Sequence, residues 1–220
     1  MDFIADNEIL VVILLVFALF ILIVGLSRLL VTFRIELPEK RAGRIGEKFA
    51  KRIISEILYD DEVLLTNVHI IAEGKEAEID DVIINDKGVF IIEVKNYSGQ
   101  LIGEEDDFEW VKNKITEAGN LYQSTVKNPI KQVKRQEYLL SRFLRDHGVK
   151  VWIKGYAFLV ERNSPVKSSY ILDTQKDIDA VLHSESENHL DEETIGRIVE
   201  LLTDEFKPAN NYGLTGDMGL

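Results

Sequence analysis

Glu93 and Lys95 close the run Val89-Phe90-Ile91-Ile92-Glu93-Val94-Lys95, an acid and an ammonium two residues apart at the end of an apolar stretch. In an extended strand side chains alternate between faces, so Glu93 and Lys95 point one way while Phe90, Ile92 and Val94 point the other. Burying two such charges is costly unless they pair with each other or bind a metal. On its own the E-x-K spacing describes a structural ion pair at a strand end equally well, so a second acid has to decide. Asn85-Asp86-Lys87-Gly88 suits a type I turn closed by a left-handed glycine, and it predicts an antiparallel hairpin between Glu78–Ile84 and Val89–Lys95. A symmetric loop sets Asp80 opposite Glu93, whereas a one-residue bulge at Gly88 sets Asp81 there. In either register an aspartate Cβ comes within about 5 Å of that of Glu93. Two hard carboxylates are what Mg²⁺ asks of a protein, and a divalent ion beside a lysine is the equipment for metal-assisted hydrolysis of a phosphodiester. Lys95, a compact cation, could hold the attacking hydroxide or a phosphate oxygen.

Other elements must bring these groups together. Ile45, Phe49, Ile53 and Ile57 recur every four residues, which predicts an amphipathic helix over Gly43–Tyr59. Glu47 lies on one line of that helix with Ala50 and Ile54, where it either reaches inward or complements the helix dipole in the first turn. Val63–Ile71 reads as a strand preceding the hairpin, and a further strand or pair falls between Gly99 and Lys112. Asn128-Pro129 is an N-cap followed by proline at the first helical position, Gly148 is a stop, and Ile130, Val133, Leu140 and Leu144 form the buried row between them. Gln132 sits in that helix's first turn, an ordinary place for a polar residue. Val151–Val160 is apolar on both faces, as a central strand would be. Helices are expected at Thr174–Leu182 and Asp191–Phe206, and a mobile tail from Lys207. The order predicts an α/β fold, a mixed sheet flanked by helices.

Four separated blocks then acquire a common meaning. Gly43-Arg44-Ile45-Gly46-Glu47, Glu78-Ile79-Asp80, Gly88-Val89-Phe90-Ile91-Ile92-Glu93-Val94-Lys95-Asn96 and Asn128-Pro129-Ile130-Lys131-Gln132 occur in this order over residues 43 to about 140. In this the chain resembles the nuclease-related domain family, a branch of the restriction-endonuclease-like PD-(D/E)xK superfamily. The resemblance implies a restriction-endonuclease-like fold and a Mg²⁺- or Mn²⁺-dependent nuclease, with DNA ahead of RNA as substrate. It places the family's aspartate at Asp80, and Asp81 departs from the pattern, as a bystander on the far face. It implies Asp80 and Glu93 as metal ligands, Lys95 near the attacking water, Glu47 as an additional carboxylate, and Gln132 orienting the phosphate or the water.

The ends and the charge bound what else the chain can be. Ile9–Ser27 is nineteen residues without a charge, about 28 Å as a helix, which matches the hydrocarbon core of a bilayer. Acidic residues before the run and the lack of a cleavage site argue against a signal peptide. Arg28, Arg34, Lys40, Arg41 and Arg44 follow the run and no Lys or Arg precedes it, so the N-terminus is expected outside the cell membrane and the domain in the cytoplasm. The expected layout is an anchor over 1–33, a linker over 34–42, the nuclease-related domain over 43–206 and a flexible tail over 207–220. With no cysteine there is no disulfide, no thiolate zinc site and no cysteine nucleophile. His69, His147, His183 and His189 show no ligand spacing and are expected on the surface. Trp110 and Tyr97 could stack on a base, but packing is the commoner use of an aromatic ring. The net charge of −12 opposes phosphate binding, although Lys127–Lys150 carries seven basic residues against two acidic and can form a positive face or simply a solvated one. That acidity supports an alternative, a binding or scaffolding module of the same fold, without turnover, at the membrane.

Overall fold

The computed structural model describes residues 15–25, 38–115 and 119–204. Residues 15–25 are helical (α1). The rest of the Ile9–Ser27 run and the tail from Lys207 lie outside the described residues. Among the described residues no helix is long and apolar enough to cross a membrane, so the expected membrane-spanning helix has no counterpart there.

Helix α2 runs from Pro38 to Ser55 and so takes in part of the expected linker. Proline at the first turn lacks only an amide that would be unbonded anyway, and Glu39, Lys40, Arg41 and Ala42 are good helix formers. The face it buries is offset from the expected row, keeping its Ile53 but not Ile45 or Phe49. Ala50, Ile53 and Ile54 are buried, whereas Ile45 is 54% exposed.

Strands β1 (Val63–Ala72), β2 (Lys75–Asn85) and β3 (Gly88–Lys95) form an antiparallel meander. The second, outer sheet follows as β4 (Gln100–Ile102), β5 (Glu109–Ile115) and β6 (Leu121–Lys127). Helix α3 (Pro129–Asp146) then returns the chain to β7 (Ile153–Leu159), parallel to β3, and β8 (Ile171–Leu172) pairs in parallel with β7. Helices α4 (Gln175–His183) and α5 (Glu192–Asp204) complete the domain. The main sheet has the order β1-β2-β3-β7-β8.

The sheet separates two apolar layers. On one face Val82, Ile84, Val89 and Ile91 pack with Leu140, Phe143 and Leu144 of α3 and Ile198 and Leu202 of α5. On the other, Ile83, Phe90 and Ile92 pack with Ala50 and Ile54 of α2 and Ile178 and Leu182 of α4. The alternation of β3 is what divides its residues between these layers. The architecture is the expected mixed sheet between helices.

His183 departs from the expected surface position. Its side chain is 11% exposed, Nδ1 meets Asp179 at 2.7 Å, and Nε2 meets Glu62 at 3.0 Å. Its ring stacks on Tyr59 at 4.4 Å. Burial would lower its pKa, but the bonds to Glu62 and Asp179 outweigh that and raise it. It joins α4 to the start of β1.

Candidate active site

The β2–β3 hairpin fixes the register that the sequence left open. Gly88, with a positive φ of 149°, pairs directly with Asn85, and Asp81 pairs with Ile92. The loop is therefore the symmetric one, of Asp86 and Lys87, and one step further along the same count sets Asp80 against Glu93. The ladder does not make that step. Its last pair is Asp81 with Ile92, while β3 continues to Lys95 beside β7. Where the strands part, the Val94 amide donates to the Asp80 carboxylate at 2.8 Å.

A local irregularity lies beside this opening. Asn67 has φ 54° and lies, with Asp80, between the pairs Thr66–Asp81 and Val68–Ile79. A positive φ for a non-glycine residue turns the chain out of the regular pleat, and asparagine tolerates it best. Strand alternation is accordingly offset there. Ala77 and Ile79 face the α3 layer before the break, and Val82 and Ile84 face it after. Asp80 and Asp81 occupy the offset, so one is sent to each side. Asp81 shares the face of Ile83, toward α2, and is 3% exposed. It stands on the far side of the sheet from Glu93, as the departure from the family pattern led us to expect.

Glu93 is the centre of the arrangement. At 1% exposure its carboxylate is bonded on both oxygens. Oε1 accepts from Lys95 Nζ and, at 2.5 Å, from Gln132 Nε2, while Oε2 accepts from Gln136 Nε2 at 2.6 Å. Gln136 Nε2 also donates to the Glu78 carbonyl at 2.9 Å, and its Oε1 is buried without a hydrogen-bond partner. Burial alone would lower the Lys95 pKa, but Glu93, Tyr97 and Asp80 push it up, so the ammonium keeps its proton. Asp80 is also shifted upward, but by burial rather than against it. Burial first and the Glu93 charge second raise it to about 7, against the lowering effect of the Val94 amide and Lys95. Asp81 is also raised to about 7, by burial and by Asp80.

Two close approaches hold the flanking helices in place. A Cβ on Gly155 of β7 would lie 2.4 Å from Val133 Cγ1, so the missing side chain lets α3 settle onto the sheet with Gln132 and Gln136 over Glu93. A Cβ on Gly46 would lie 2.8 Å from Asn96 Cβ, and Asn96 Nδ2 donates to the Ala42 carbonyl at 2.9 Å. Helix α2 is thereby fixed to the residue after Lys95. Glu47 nonetheless stays exposed, and it is the smallest of the influences named for Asp80.

Of the residues the sequence singled out, Asp80, Glu93, Lys95 and Gln132 come together and Glu47 remains at the rim. Among the described residues no three Asp, Glu, His or Cys side chains gather closely enough to hold a metal by themselves. The carboxylates that could hold a hard divalent ion here are Asp80 and Glu93, and Mg²⁺ needs only one or two of them because it usually keeps several waters. Gln136 escaped sequence reasoning. Its signal was present, a polar residue between Val133 and Leu140 in the row α3 buries. Trp110 is fully buried, with its indole N–H on the Glu104 carbonyl at 2.9 Å, and Tyr97 lies at the rim, its hydroxyl donating to the Lys127 carbonyl at 3.4 Å.

The family model for the nuclease-related domain matches residues 42–160, more than half of the chain. An uncharacterized protein of Bacillus anthracis is 33% identical over 106 residues, covering 48% of this chain and 50% of that protein. The chain thus spans about half the length of the curated relative it matches. No solved structure matches.

Proposed function

Since the chain belongs to the nuclease-related domain family, we propose that it is a metal-dependent nuclease that hydrolyses nucleic-acid phosphodiesters, with DNA ahead of RNA as the expected substrate, held at the membrane by its N-terminal apolar segment. The observation that carries this reading is the buried Glu93 carboxylate, which gathers Lys95, Gln132 and Gln136 beside an aspartate whose own charge it opposes.

Asp80 and Glu93 would hold Mg²⁺ or Mn²⁺, which replaces their mutual repulsion with attraction. The ion supplies Lewis acidity, acidifying water and offsetting charge at the phosphate. Lys95, protonated and only 18% exposed, can hold a non-bridging phosphate oxygen or the attacking water. Gln132 and Gln136 donate to Glu93 and fix where its oxygens point, as outer partners of ligands commonly do. Gln132 can also orient the phosphate or the water, and Glu47 would add a carboxylate from the rim. The anchor rests on the uncharged Ile9–Ser27 run and on the basic residues that follow it, which favour a cytoplasmic domain.

The test is cleavage of labelled DNA and RNA by the purified full chain with Mg²⁺ or Mn²⁺. Wild type should cut, and Lys95→Ala and Asp80→Ala should each abolish cutting. A folded wild-type protein inert with every metal and substrate would remove the catalytic claim.

A second reading is a nuclease-fold module that binds without turnover. It draws on the net charge of −12 and on the internal bonding of both Glu93 oxygens. Nucleic-acid binding that survives Asp80→Ala, with no cleavage by wild type, would favour it.

A further inference from the structure

Helix α2 turns one face into the domain and the opposite face away from it. Ala50, Ile53 and Ile54 are buried against the sheet, while Ile45, Lys48, Phe49 and Arg52, at three- and four-residue steps, are exposed. Lys51 is exposed on the flank of that outer face. From Lys48 to Ser55 the helix holds no acid. Arg52 meets Glu56, just past the helix end, at 3.8 Å with both side chains more than half exposed, and Lys51 partly offsets the upward shift of Asp81. Neither contact takes the cation out of water, so both still add to the positive field outside the helix.

Two apolar side chains stand among these cations. Ile45 is 54% exposed and Phe49 39%, the latter with its ring stacked on Phe158 at 6.5 Å and the Arg52 guanidinium over it at 5.7 Å. A single exposed apolar residue means little. A pair one turn apart, framed by Lys48, Lys51 and Arg52, is what an interfacial helix presents, apolar groups for the headgroup region and cations for anionic lipid. Nucleic acid, held mainly through its phosphates, would give Ile45 nothing to enter.

The charge of the remaining surface favours the same partner. The chain has a net charge of −12, and on α5, which packs in the layer across the sheet from α2, Glu192, Glu193 and Glu200 are exposed. A negative leaflet therefore favours the orientation that presents α2 and opposes the one that presents α5. At most roughly 65 Å of extended chain separates Ser27 from Ile45. A tether of that length keeps α2 concentrated near the surface, so weak docking suffices.

We propose that α2 is a membrane-docking helix, laid on an anionic leaflet with Ile45 and Phe49 in the headgroup region and Lys48, Lys51 and Arg52 against the lipid phosphates and carboxylates. This rests on the membrane reading above and adds to the anchor a second contact that orients the domain. Gly46 lies against Asn96, the residue after Lys95, so a docked α2 holds the Lys95 end of β3 beside the leaflet.

The full chain, reconstituted into phosphatidylcholine vesicles with or without phosphatidylserine, tests the proposal. Because the chain has no cysteine, Ile45→Cys carries a single environment-sensitive fluorophore, and Glu193→Cys on α5 carries the control. Phosphatidylserine should shift the Ile45 label to the blue and shield it from an aqueous quencher, and should leave the Glu193 label in water. Each basic residue near an anionic surface strengthens docking about fivefold, so adding Lys48→Ala/Lys51→Ala should lower the docked-to-free ratio roughly 25-fold. Raising salt from about 0.1 M to about 1 M, which shortens the screening length from roughly 10 Å to roughly 3 Å, should release the label. Circular dichroism checks that each variant keeps its fold. An Ile45 label that reads the same on both vesicles, ignores the lysine substitutions, or shifts no more than the Glu193 label overturns the docking. If duplex DNA shields the Ile45 label on neutral vesicles and phosphatidylserine does not, α2 meets nucleic acid and the proposal fails. Flotation with neutral vesicles reads the anchor separately. A chain that does not float overturns the anchor, and one that floats without a label shift overturns the docking alone.

Discussion

The Asp80 carboxylate accepts the Val94 amide at 2.8 Å just past the last pair of the β2–β3 ladder. A side chain thus caps a strand where main chain would otherwise continue, and the gap so opened is the place where Asp80 can approach Glu93. The positive φ of Asn67 on the neighbouring strand belongs to the same device, since it offsets β1 and β2 together.

Gln136 should matter for both folding and turnover. Its amide bonds Glu93 and the Glu78 carbonyl from a buried position. Gln136→Leu leaves the buried carboxylate short of a donor, and the protein should lose about 1–3 kcal/mol of stability by denaturant titration. Cleavage should fall about 10- to 100-fold, the usual cost of removing an outer partner of a metal ligand. Gln136→Glu should be worse, since it sets a second acid against Glu93.

Gly46 and Gly43 should respond differently to the same substitution. At Gly46 an added methyl meets Asn96 Cβ at 2.8 Å, whereas at Gly43 it meets only the Glu47 carboxylate at 3.8 Å. Gly46→Ala should cost about 1–3 kcal/mol by crowding, lowering Tm by about 2–12 °C. Gly43→Ala should be neutral or stabilising by up to about 1 kcal/mol, as alanine is in a helix. Thermal unfolding of the two variants side by side checks this.

Without metal, stability should fall as pH rises toward and through 7. Asp80 and Asp81 hold their protons to about 7 in the folded chain, against an ordinary 3.8. Between those values the folded state binds protons that the unfolded state has released. Their contribution is therefore full below about 3.8 and lost as pH climbs through about 7, at up to about 1.4 kcal/mol per pH unit for each proton. Urea titrations from pH 5 to pH 8 in chelator should show the decline, Asp81→Asn should flatten it, and added Mg²⁺ should offset it at the upper end.

Much of this arrangement was legible in the sequence because alternation and turn chemistry are local. The apolar run ending in Glu93 and Lys95, and the Asn85–Gly88 turn, fix a strand pair, and the pair limits the opposing acid to Asp80 or Asp81. Asn128-Pro129 likewise marks the start of α3, where the Asn128 side chain caps the Ile130 amide. What escaped reading depends on contacts between distant segments. The buried face of α2 is set by Gly46 lying against Asn96, and hydrophobic spacing alone favoured Ile45, which is exposed. Strand β6 was not foreseen because its residues are mostly exposed, so no apolar alternation marks it. The pairing of His183 with Glu62 joins residues 121 positions apart, beyond the reach of any ligand-spacing rule.

Calorimetric titration of Mn²⁺ into the full chain at pH 7.5 tests the central claim, that Asp80 and Glu93 share a divalent cation. Wild type should bind with release of protons, and both the heat and the proton release should disappear in Asp80→Asn and in Glu93→Gln while circular dichroism stays unchanged. Equal Mn²⁺ binding in wild type and both variants, or none in any of them, would contradict the account.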